Sequence, residues 1–164
     1  MLDEEGVDFL AMRTVVVLIA AALLISAAAI FVKGYTDNML RDSARGTASH
    51  IAAMARAEYI SGCPGTESRT AVPVTVPRCV RDIVFGRSPD DLPGDRDDHV
   101  YFIEFQDGMI ETKRSEVPFA YGDPSSGNAS DSGISFYPGE YSLELEVMSF
   151  NGSYAVAIYG GAEC

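Results

Sequence analysis

Residues 14–32 read TVVVLIAAALLISAAAIFV, nineteen positions without a charge, and Ser26 is the only polar side chain after Thr14. At about 1.5 Å rise per residue, such a run crosses the roughly 30 Å hydrocarbon core of a bilayer. A soluble head of about a hundred residues could not enclose a helix that is apolar on all sides. Residues 35–60 change the pattern. Leu40, Ala44, Thr47, Ile51, Met54 and Glu58 recur at alternating steps of four and three, which makes one mostly apolar helical stripe. Arg41, Arg45 and Arg56 fall elsewhere on the circumference. The stripe can dock onto a sheet, and its small residues also suit close packing between neighbouring helices. Gly34 and Gly46 are the candidate bends, and the Ser61-Gly62-Cys63-Pro64-Gly65 stretch ends the helix.

The period then becomes two. Val72, Val74 and Val76 alternate, and Pro73 and Pro77 confine this segment to an edge or irregular strand. Asp107-Gly108 sits between two β-rich arms and predicts a hairpin. Leu143, Leu145 and Val147 alternate with Glu144 and Glu146, and Asn151-Gly152 predicts a second turn. Residues 87–99 and 121–133 read as polar loops. The expected fold is α+β: a long N-terminal transmembrane helix continues into an amphipathic helix, followed by a small antiparallel β-sheet head of about five strands in a meander. The expected boundaries are 7–34 for the span, 35–60 for the amphipathic continuation and 61–164 for the head.

Charge and chemistry narrow the function. The 164 residues carry a net charge of −12, which excludes the basic surface that nucleic-acid binding requires. No GxSxG, HExxH, Walker-type or GxGxxG motif is present, so no catalytic residue, cofactor or enzymatic activity is expected. His50 and His99 stand apart from Cys63, Cys79 and Cys164, which argues against a zinc site. Cys63 and Cys79 are the disulfide candidates if the head lies outside the cytoplasm, with Cys164 left over or competing. Asp90, Asp91, Asp95, Asp97 and Asp98 cluster without EF-hand spacing and read as a solvated loop before a cation site. Six tyrosines lie in the head, where strands favour aromatics and exposed ones suit adhesion.

Two sequons, at Asn128 and Asn151, are glycosylation candidates and fit an exterior head. Lys33, Arg41 and Arg45 on the C-terminal flank, against Arg13 alone on the N-terminal side, oppose that topology by the positive-inside rule.

Glu5-Gly6-Val7, directly ahead of the apolar run, resembles the processing site of archaeal type IV pilin-like proteins with class III signal peptides. The acidic flank and the length of the run distinguish it from an ordinary secretory signal. The resemblance covers about the first sixty residues. It implies a leader of residues 1–6 and cleavage between Gly6 and Val7. It implies a helix retained as both anchor and assembly element, and a head displayed on the cell surface. Its partners would be the membrane, other pilin-like subunits, a prepilin peptidase and an assembly platform. Three positions depart from the family pattern: Glu5 stands where a basic residue is usual, Asp8 follows the cut, and Arg13 interrupts the apolar helix. These departures point to a minor or accessory subunit. The alternative expectation is a permanently anchored binding or sensory module that does not polymerise.

Overall fold

The computed structural model describes residues 4–61, 69–90, 97–123, 126–130, 132–150 and 152–163. One helix, α1 (Glu4–Ser61), takes up the N-terminal part of the chain and runs through Gly34 and Gly46 without interruption. Ten strands follow among the described residues: β1 (Thr70–Val76), β2 (Val80–Phe85), β3 (Val100–Phe105), β4 (Ile110–Arg114), β5 (Phe119–Gly122), β6 (Ala129–Ser130), β7 (Ile134–Phe136), β8 (Gly139–Phe150), β9 (Ser153–Tyr159) and β10 (Ala162–Glu163). The chain divides into two compact units, residues 1–39 and 40–164.

Among the described residues, the first unit is helix alone. From residue 12 onward its apolar side chains are exposed around the whole circumference, from Val15 at 54% to Phe31 at 80%. Ser26 donates its hydroxyl hydrogen to the Ala22 carbonyl at 2.8 Å, so the one polar side chain in the middle of the run is satisfied within the helix.

The second unit is α+β, as the pattern predicts, but the strands do not form a single meander. They make two five-stranded sheets, ordered β1-β8-β9-β5-β6 and β10-β7-β2-β3-β4. The chain changes sheet repeatedly. Among the described residues, all pairings are antiparallel except β5–β9, which is parallel. The two expected hairpins form. Gly108 turns β3 into β4 at φ +83°, and Gly152 turns β8 into β9 at φ +81°, values that favour glycine. β1 is an edge strand, which is where Pro73 is tolerated.

One hydrophobic core draws on both sheets and on the helix. Phe85, Ile103, Phe105 and Phe136 come from the second sheet, Val72, Phe119, Leu143, Leu145 and Ile158 from the first, and Ala44, Ala48, Ile51 and Ala55 from α1. The rings of Phe119 and Phe136 meet Phe85 edge-on, at 5.1 and 6.0 Å between centroids.

The buried helix face is displaced from the expected stripe. Ala44 and Ile51 lie on it, fully buried. Thr47 and Met54 lie on its margin, and Leu40 is 43% exposed. Ala48 and Ala55, absent from the expected set, complete the face. Alanine has no side chain beyond Cβ, so an alanine face allows the helix to approach the sheets closely. Larger apolar residues would hold it off.

Candidate functional site

The strongest candidate is α1 itself, in its two settings. Its Met12–Ser61 portion is long and apolar enough to cross a membrane, and its most apolar window is wholly unburied. Glu5, Gly6 and Val7 lie within the helix near its start.

Residues 40–61 are held between the edge strands of the two sheets. On one flank, Thr47 donates to the Thr75 carbonyl of β1 at 3.0 Å, and Thr70 of β1 donates to the Glu58 carboxylate at 2.7 Å. On the other flank, arginines reach the β3–β4 hairpin. Arg45 makes a bidentate pair with Glu111, through Nη2 at 2.5 Å and Nε at 2.8 Å. Arg41 pairs with Asp107 at the hairpin turn and sits 5.2 Å from the centroid of the Phe105 ring. Arg56 pairs with Glu116 at 2.9 Å. The helix is therefore tied by side chains to β1 on one flank and, on the other, to the β3–β4 hairpin and to Glu116 just past it.

The electrostatics agree with this geometry. The Arg45 guanidinium holds the Glu111 carboxyl below the usual glutamate range. The Met109 backbone N–H, and then Arg41, do the same for Asp107. Arg45 is in turn raised by its hydrogen bonds to Glu111 and Asp42. Helical spacing alone leaves these arginines off the stripe and gives them no role. The available signal is the run of acids Asp107, Glu111 and Glu116, which meets Arg41, Arg45 and Arg56 in the same order along the chain.

A second polar cluster lies on the first sheet. Arg69 stacks 4.3 Å over the Tyr159 ring and bonds Glu144 and Glu146, each at 3.0 Å. The Tyr159 hydroxyl reaches Glu146 at 3.2 Å. Burial, then the Glu146 charge, pushes the phenol up to about 12. The Tyr159 ring crosses Gly122 so closely that a Cβ there would stand 2.5 Å from a ring carbon. These groups satisfy one another, and the cluster reads as a structural lock.

The remaining candidates are dispersed. Cys79 is half-buried in the β1–β2 turn, and Cys63 and Cys164 lie outside the described residues. Asn128 is exposed in the short β5–β6 connection, and Asn151 lies outside the described residues. Of the five loop aspartates, Asp91 and Asp95 lie outside the described residues. Asp97 accepts the His99 backbone N–H at 3.1 Å and pairs with Arg114 at 3.5 Å. Among the described residues, no three of His, Cys, Asp and Glu converge as a metal site would require. His50 is exposed on α1, beside a shallow groove toward Pro73 and Thr75. Tyr101 and Tyr159 are buried, Tyr121 and Tyr141 are half-buried, and Tyr137 and Tyr154 are exposed. An adhesive role would rest on the last two. The chain matches no protein-family model, no curated protein and no solved structure.

Proposed function

We propose that the chain is a pilin-like, membrane-anchored surface subunit, a non-catalytic minor or accessory component of an archaeal type IV pilus-like filament. One observation carries this reading. A single 58-residue helix is apolar on all sides over residues 14–32 and then becomes a buried alanine-rich face from Ala44 to Ala55. A simple anchor needs only about twenty apolar residues. The continuation of the same helix into the head core supports a role in which the helix is both anchor and structural stem. The sequon at Asn128, on a surface connection, supports a head outside the cell.

A second reading, a fixed anchor carrying a binding module, is favoured by Glu5 and Asp8 flanking the processing position and by a polar pocket in the head. Mass spectrometry of the native N-terminus separates the two. The filament reading expects a mature chain that begins at Val7. A chain that still begins at Met1 sinks that reading and leaves the fixed anchor.

A further inference from the structure

The outer face of the second sheet carries a pocket of about 230 Å³, bordered by Asp82, Val84, Arg87, Ser88, Phe102 and Ser135. The sheet register builds it. Val84 of β2 stands opposite both Phe102 of β3 and Ser135 of β7, so these three side chains form one lateral row. They are only 3%, 8% and 4% exposed, although none of them belongs to the main core. Asp82 lies two residues before Val84, beyond the bulge at Val80/Asp82.

The charges here are unlike those elsewhere in the head. The Tyr159 cluster and the helix clamp pair their acids with arginines. Asp82 Oδ1 is buried and accepts no hydrogen bond among the described residues. Its register neighbour Glu104 is already bound by Arg81 at 2.6 Å. Burial, and then Glu104, raises the Asp82 carboxyl. Arg87 borders the same pocket, is half-buried, and has no ion-pair partner among the described residues. A buried acceptor without a donor is rare in folded proteins and calls for an explanation.

We infer that this pocket binds a small zwitterion of the α-amino-acid class, its ammonium group on Asp82 and its carboxylate on Arg87. The ammonium meets the Asp82 carboxylate where that side chain borders the pocket, and a guanidinium suits a planar carboxylate. Val84 and Phe102 give an apolar floor for a short side chain, and the volume limits the ligand to a small one. A metal cation is disfavoured by Arg87, and a simple anion by the adjacent Asp82 and Glu104. Binding here is independent of whether the chain polymerises.

The test is a titration of the isotope-labelled full-length chain in detergent micelles with glycine, L-alanine and L-serine. The readout is the backbone amide shifts of Val84, Phe102 and Ser135. Propylamine and propionate, with one charge each, are the controls. Saturable shifts are expected with the amino acids, and binding about tenfold weaker or worse with either control and in Asp82→Asn and Arg87→Gln. Thermal midpoints check that both variants fold, and Arg87→Gln alone suffices if Asp82→Asn does not. Absence of saturable shifts, equal binding of the single-charge controls, or unchanged binding in the variants overturns the inference. So does a double-mutant cycle showing that Asp82 and Arg87 stabilise the empty protein jointly, because each then satisfies the other.

Discussion

The two parts of α1 share one secondary structure and differ in almost every other respect. Over residues 14–32 the helix is apolar all round, and it buries none of its most apolar window. Over residues 40–61 it is apolar on one side only, and the buried side is built from Ala44, Ala48, Ile51 and Ala55. Total hydrophobicity and sidedness therefore carry separate information. A helix that is apolar on all sides needs lipid or other helices around it, whereas a one-sided helix needs a single partner surface. Here the second part has its partner within the chain, in the slot between β1 and β4.

Charge substitutions should break this comparison most sharply. Ile51→Asp places a carboxylate at a fully buried position with no partner arranged for it. It is expected to destabilise the head by about 4 kcal/mol or more and to abolish assembly. Leu24→Asp, at a 72% exposed position, should leave head unfolding unchanged and instead impair membrane retention. The translocon-based cost of Asp at a helix centre is about 3 kcal/mol. Chemical denaturation in detergent, together with membrane fractionation, reads both. Normal filaments or a normal midpoint for Ile51→Asp would remove the distinction.

Size substitutions sharpen it with a smaller effect. Ala48→Leu forces a much larger side chain into the helix–sheet contact and should cost roughly 1–3 kcal/mol. Ala28→Leu, at an exposed position, should leave the thermal midpoint of the head where it is.

The acid response should be smaller still. The folded-state pKa of Glu111 is depressed, so its contribution is complete above the ordinary glutamate pKa. That contribution is lost as pH falls through the lower folded value. Glu111→Gln should therefore flatten the acid limb of the stability curve without steepening its alkaline side. An identical acid limb in the variant would show that the Arg45 pair contributes nothing measurable, as solvent-exposed pairs often do.

Much of this architecture is legible in the chain. The nineteen-residue uncharged run, the Asp107-Gly108 and Asn151-Gly152 turn signals and the edge-strand proline Pro73 each act locally, and each corresponds to a described feature except Asn151 itself. Other features are not local. Sheet membership depends on pairings such as β1 with β8 and β2 with β7, which join segments far apart in sequence. Hydrophobicity alone misplaces the centre of the helix stripe, because Leu40 and Met54 outweigh Ala48 and Ala55 on that scale while close packing selects small volume. At 100° per residue, the expected stripe is centred roughly 50° from the observed one. The same displacement puts Arg41 and Arg45 away from the contact, whereas they border it. The pocket at Asp82 has no local signal, because its row of Val84, Phe102 and Ser135 comes from three strands.

In the proposed filament, residues 14–32 would pack between copies as well as anchor the chain. The direct measurement is oxidative cross-linking of Leu24→Cys in the native membrane and in sheared surface material, with Cys63, Cys79 and Cys164 replaced by serine. The expected result is a cross-linked species that enters the sheared fraction with the filament. A chain that stays monomeric in the membrane fraction, with the introduced thiol readily alkylated, would contradict it and leave α1 as a fixed anchor.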